Sequence, residues 1–135
     1  MDGVILTPLK QIQHSKGDIF HAMKASDVGY EGFGEAYFSN VSHDEIKGWK
    51  QHTEMALNLI VVIGEIRFVI YDGRTFFNVT LSINNYQRLS VSPGLWVAFK
   101  GLSPSNMLLN LASIEHKPSE STNMALDGFD YDWSK

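Results

Sequence analysis

The chain has 135 residues, 44% of them hydrophobic, a formal net charge of -4 and no cysteine. That length suits one domain, with enough apolar matter to fill a core. The composition excludes a disulfide framework and a thiolate metal site. Its negative balance argues against a nucleic-acid groove but leaves room for a local cationic pocket.

In chain order, residues 1–6 lack the basic and long apolar regions expected of a signal peptide, and residues 4–9 form an apolar opening segment. Ser15-Lys16-Gly17-Asp18 marks a turn, and residues 19–24 read as a strand. The stretch 29–34 is rich in glycine. It lacks the Lys-Ser/Thr of a phosphate-binding loop and opens no helix, so it reads as a loop. Residues 36–41 form an aromatic-rich strand. Ser42-His43-Asp44-Glu45 resembles a capping-box start, but Gly48 stops anything longer than a turn.

Leu57–Ile63 is a β-branched run, and residues 66–71 form a second. Gly64-Glu65 between them has the length of a two-residue hairpin turn. Asp72-Gly73, Asn84-Asn85 and Pro93-Gly94 mark further turns. They separate strands expected at 76–81, Gln87–Val91 and 95–99, and Met107–Ala112 completes the set. Short strands at roughly 8–12-residue intervals predict an all-β, single-domain, mostly antiparallel barrel or jelly roll. The longest apolar run, Leu57–Ile63, contains Asn58 and falls far short of the ~20 residues that span a bilayer. The expected setting is the cytoplasm, with no membrane partner.

Lys50 and His52 stand two apart beside these strands. On a strand, residues two apart share a face. If that face looks into the barrel, a basic pair lies beside an apolar pocket.

Across nearly the whole chain, the order of short motifs resembles the nucleotide-sugar cupins related to dTDP-4-dehydrorhamnose 3,5-epimerase. Lys16-Gly17-Asp18-Ile19 is similar to the family's Arg-Gly-x-Phe turn, Asn40-Val41-Ser42 to its Asn-x-Ser strand, and Lys47-Gly48-Trp49-Lys50 to its Arg-Gly-Leu-His segment. Gly64-Glu65-Ile66 through Asp72-Gly73-Arg74, Leu81-Ser82 with Asn84, Pro93-Gly94, and the tail with Pro118, Glu120 and Tyr131-Asp132-Trp133 follow in the family's order. Lys50 stands in the slot of the family's general-base His, and Asn110 in that of its general-acid Tyr. The carboxylate that orients the base in full-length family members comes from a segment beyond this tail, so its loss is expected here. The shorter 3,4-ketoisomerases of dTDP-4-keto-6-deoxyglucose carry Gly-Phe-His-x-His. Gly48-Trp49-Lys50-Gln51-His52 resembles that segment, with Lys in place of the first His.

The resemblance implies a cupin-like fold and a homodimer. It also implies an epimerase or isomerase moving protons on a nucleoside-diphosphate keto-sugar, in the context of surface polysaccharide synthesis. No cofactor is needed, because the carbonyl acidifies its neighbouring C–H. Such chemistry requires a base, a donor for the enolate oxygen and an acid to return the proton. Lys50 and His52 are the candidates for base and donor, in either order. Imidazole titrates near working pH, whereas an amine becomes a base only where a dry pocket disfavours its charged form.

Lys16, Lys47, Arg67 and Arg88 are candidate phosphate ligands. Trp96 is a candidate stacking group, and Asn58, Asn110 and His116 are candidate contacts to the substrate. Tyr37 and Tyr71 are expected to be core or barrel wall. No metal is expected. Metal cupins need a His-x-His pair, a nearby Glu and a further His, whereas Lys50 fills the first slot and Glu54 comes too early. The competing expectation is a non-catalytic carbohydrate- or nucleotide-sugar-binding cupin, favoured by the replaced base and acid.

Overall fold

In the computed structural model, which describes residues 1–134, the chain forms twelve strands and no α-helix. They are β1 (Val4–Pro8), β2 (Gln11–Ile12), β3 (Ile19–Phe20), β4 (Glu35–Asn40), β5 (Ile46–His52), β6 (Leu57–Ile63), β7 (Glu65–Tyr71), β8 (Phe76–Ser82), β9 (Gln87–Val91), β10 (Trp96–Gly101), β11 (Met107–Ala112) and β12 (Ser121–Asn123). Two five-stranded sheets, ordered β1-β9-β6-β11-β4 and β12-β5-β10-β7-β8, face each other, and β2-β3 form a small ribbon. All strand pairings in these sheets are antiparallel. The result is the expected cupin-like barrel. Among the described residues, no helix is long and apolar enough to cross a membrane.

Alternation explains the core. Leu57, Leu59 and Val61 of β6, Leu89 and Val91 of β9, and Leu108 of β11 face Ile66, Phe68 and Ile70 of β7, Leu81 of β8 and Val97 of β10. These side chains fill the space between the sheets. A second apolar cluster lies on the outer face of the β5-containing sheet. There Trp49, Val69 and Ala98 pack with Tyr71, Phe76 and Trp96, under Phe129, Tyr131 and Trp133 of the C-terminal tail.

Two local expectations are corrected. Gly64-Glu65 is not a hairpin turn, because β6 and β7 belong to different sheets. Gly64, at φ +76°, turns the chain from one sheet to the other, and a Cβ there would run into the backbone of Ser105. Asn106 seals this corner. Its Oδ1 accepts from the N–H groups of Glu65 and Ser103 (both 3.0 Å), and its Nδ2 donates to the carbonyls of Ser103 (2.7 Å) and Val41 (3.1 Å). A hairpin does form one strand later, at Asp72–Thr75, where Asp72 Oδ1 accepts from the N–H groups of Arg74 and Thr75.

The capping-box-like Ser42–Glu45 segment opens no helix. Glu45 N–H closes a turn on the Ser42 carbonyl, and the chain runs straight into β5. Residues 19–24 keep strand structure only at Ile19–Phe20.

Candidate functional site

A cavity of about 370 Å³ opens between β4 of one sheet and β5 of the other. Leu57, Leu59, Val97, Phe99 and Leu108 make its apolar floor, and Tyr37, Ser39, Lys47, Lys50, His52, Asn110 and Asn123 supply its polar groups. An adjoining cavity of about 340 Å³ shares Tyr37, Lys50 and His52 and adds Glu35, Met55 and His116.

The three basic groups of β5 reach one face through a bulge. Val97 pairs with Lys50 and Phe99 with Lys47, so Gly48 and Trp49 together oppose Ala98 alone. Gly48 suits this position. It has φ +140°, and a Cβ there would press on Ala98. The extra residue returns Lys47, three positions from Lys50, to the cavity side. It also turns Trp49 outward, where it is 1% exposed.

Lys47 Nζ is held at the rim, donating to the Asn40 carbonyl (2.6 Å) and Ser39 Oγ (3.2 Å). Lys50 is exposed. Among the described residues, no carboxylate lies within ion-pair distance of it.

His52 is mostly covered, its side chain 11% exposed, and its Nδ1 hydrogen-bonds Oε1 of the fully buried Glu120. An ionised carboxylate only accepts, so the shared proton sits on Nδ1 and Nε2 on the far side of the ring is left as the acceptor. Burial pushes the Glu120 pKa up. The hydrogen bond from His52 and those from the backbone N–H groups of Glu54 and Met55 (both 3.2 Å) outweigh it, leaving the carboxyl below its ordinary value.

Glu120 is delivered by the tail. Its carbonyl accepts from Thr53 N–H and Oγ1 (both 2.8 Å), and β12 then pairs with β5, placing Ser121 opposite His52. Trp49 anchors the same tail, exchanging backbone bonds with Met124 and donating from Nε1 to the Leu126 carbonyl (3.1 Å).

Asn110 is fully buried at the cavity wall. Its Oδ1 accepts from Asn58 N–H and its Nδ2 donates to Tyr37 Oη, both at 3.1 Å. The Asn110 amide therefore holds a phenol that comes from the neighbouring strand.

Of the residues singled out from sequence, Lys47, Lys50, His52, Asn110 and His116 line the two cavities. The others lie elsewhere. Asn58 points away from the core, donating to the Gly29 carbonyl (3.0 Å) and accepting from Ser90 Oγ (2.5 Å). Arg88 is fully buried and fastens the 22–28 loop through the carbonyls of Ala22 and Val28 and through Asp27, so it has no face for a ligand. Arg67 reaches the Trp133 carbonyl (3.4 Å) on the outer face. Trp96 packs on Phe129 there, with ring centroids 5.2 Å apart. Lys16 sits in the exposed β2–β3 turn.

Glu120 and Tyr37 stand at the site without having been singled out for it from sequence: Glu120 was read only as part of the tail motif, and its bond to His52 corrects the expectation that no carboxylate backs this pair. Tyr37 was legible only as a wall residue. Glu120 meets a partner 68 residues away in sequence.

The fold also matches known proteins. A dTDP sugar isomerase from Desulfovibrio desulfuricans G20 superposes with a TM-score of 0.92 at 29% identity, over 98% of this chain and 92% of that one. A mutant of the 3,4-ketoisomerase QdtA from Thermoanaerobacterium thermosaccharolyticum, in complex with TDP-4-keto-6-deoxyglucose, gives a TM-score of 0.81 at 19% identity, over 90% and 88% of the two chains. The rmlC epimerase of Mycobacterium tuberculosis gives 0.83 at 18%, over 96% and 74%. At such identities the last two speak for the fold alone. No curated protein matches the chain. The family described as FdtA: WxcM-like, C-terminal matches residues 2–125, nearly the whole sequence, and the chain belongs to that family.

Proposed function

We propose that the chain is a cofactor-independent isomerase of a dTDP-linked 4-keto-6-deoxy sugar, working by proton transfer. The observation that carries this reading is the His52–Glu120 pair on one wall of a cavity that also holds the Lys50 ammonium and, from the opposite wall, the Tyr37 hydroxyl. The likeness to a dTDP sugar isomerase at 29% identity supports the substrate class.

The ketone at C4 acidifies the C3–H bond. Nε2 of His52 takes that proton, the electron pair forms the C3=C4 double bond, and the C4 oxygen becomes an enolate held by the Lys50 ammonium. Tyr37 gives its proton to this oxygen and recovers one from the C3 hydroxyl. The C3 oxygen then closes to a ketone as the His52 imidazolium returns a proton to C4. The atoms and electrons of the sugar are conserved, so no redox partner enters. A single carboxylate-backed base can serve the two adjacent carbons in turn, which suits this keto shift. The setting proposed is the cytoplasm, with the product passing to surface polysaccharide synthesis.

The competing reading is a binding protein without catalysis, favoured by Lys50 standing where the related ketoisomerases carry a His. Proton NMR of dTDP-4-keto-6-deoxyglucose incubated with the protein separates the two. A new 3-keto isomer, lost in His52→Asn while dTDP still binds, supports the isomerase. Saturable binding with an unchanged sugar spectrum supports the binding protein.

A further inference from the structure

The two cavities form one cleft with chemically different ends. Along β4, residues 35, 37 and 39 share the cavity face, so Glu35, Tyr37 and Ser39 run for about 13 Å along one wall at strand spacing. Opposite them, Lys47, Lys50 and His52 run along β5. The Ser39–Lys47 end is cationic. The far end carries Glu35, Met55 and His116. Among the described residues, the side chains of Glu35 and His116 have no hydrogen-bond or ion-pair partner, although Glu35 is half-buried. Both therefore line the cavity with unspent hydrogen-bonding capacity.

A carboxylate at one end and the Lys47 ammonium at the other fix the direction of an elongated anionic ligand. Phosphates are attracted to Lys47 and repelled by Glu35. Neutral hydroxyl groups suit the Glu35 end, because a carboxylate accepts strong charge-assisted hydrogen bonds from them.

We propose that the cavity lined by Glu35 and His116 is a sugar-reading subsite: Glu35 accepts from the hydroxyl groups of the hexose while the diphosphate lies towards Lys47. This rests on the nucleotide-sugar reading above and assigns Glu35 as a specificity-determining residue. A ligand that keeps the nucleotide and lacks the hexose leaves Glu35 untouched.

The test is calorimetric titration of the full chain and of Glu35→Gln with two probes, dTDP and dTDP-glucose. The swap keeps size and removes charge. The expected result is dTDP affinity unchanged within about threefold and dTDP-glucose affinity about 10- to 100-fold weaker, the range for losing a hydrogen bond to a charged group. His116→Asn, on the same cavity, is expected to weaken dTDP-glucose and not dTDP. If Glu35→Gln tightens dTDP tenfold or more, the diphosphate lies beside Glu35 and the proposal is overturned. If both ligands shift by the same factor, Glu35 does not read the sugar and the proposal again falls, while the nucleotide-sugar reading stands. If the unaltered protein binds neither probe, that reading itself fails and takes this one with it.

Discussion

His52 and Glu120 join the two ends of the argument at the scale of single residues. The carboxylate fixes which imidazole nitrogen carries the proton, and that leaves the other nitrogen as the acceptor the proposed mechanism uses. Replacing His52 with Asn is expected to lower turnover about 10²- to 10⁴-fold, the usual worth of a general base, while dTDP affinity measured by calorimetry stays within a few-fold. Glu120→Gln should act through His52. We expect roughly a 10²-fold fall in kcat with little change in KM, and an altered acid limb of the pH–rate profile that a merely structural defect would not produce.

Glu120 also makes a stability prediction. Its carboxyl titrates below its ordinary value of 4.5 in the fold. Its stabilising contribution is therefore complete above that ordinary value and is lost as pH falls through the lowered folded one. Urea midpoints measured between pH 7 and pH 3 should fall at the acid end for the native chain, and less steeply for Glu120→Gln.

At the scale of elements, the β5 bulge and the Asn106 corner carry the site. Without the two-for-one pairing at Gly48 and Trp49, Lys47 would face away from Lys50. Trp49 uses its outward turn to anchor the tail that brings Glu120 to His52. Trp49→Ala should cost about 3–5 kcal/mol in urea unfolding, as for other buried aromatics. Asn106→Ala strips partners from buried backbone groups at the sheet-to-sheet crossover. It should cost at least about 2 kcal/mol by the same assay.

The difference between legible and hidden elements lies in what alternation can encode. β9 and β11 read correctly to the residue, because their patterns and flanking turns are local. Gly64 misled, since a glycine between two apolar runs looks the same whether the chain pairs back or crosses to a second sheet. Lys50 and His52 were legible as a shared face. Lys47 joined them only through a bulge whose partner strand lies some fifty residues on. Asn58 and Arg88 show the reverse case: polar residues on core strands whose partners are loops, a relation that residue type cannot reveal.

At the scale of the whole molecule, a barrel closed on its outer face by its own tail leaves one long cleft between β4 and β5. The homodimer implied by the family resemblance is part of our proposal. Exposed Ile19, Phe20 and Phe38, the last on the edge strand β4, are the surfaces it would cover. Sedimentation equilibrium is expected to give about twice the 15.2 kDa of one chain, and Phe38→Asp should shift the distribution towards the monomer.

The central claim is that His52 moves a carbon-bound proton of a dTDP-linked keto-sugar within this cleft. It is tested most directly by incubating dTDP-4-keto-6-deoxyglucose with the protein in D2O and locating deuterium by NMR. The account predicts deuterium at C3 of the substrate or C4 of the product, none at C5, and its loss in His52→Asn. Binding without deuterium at any sugar carbon, or exchange that proceeds undiminished in His52→Asn, would contradict it.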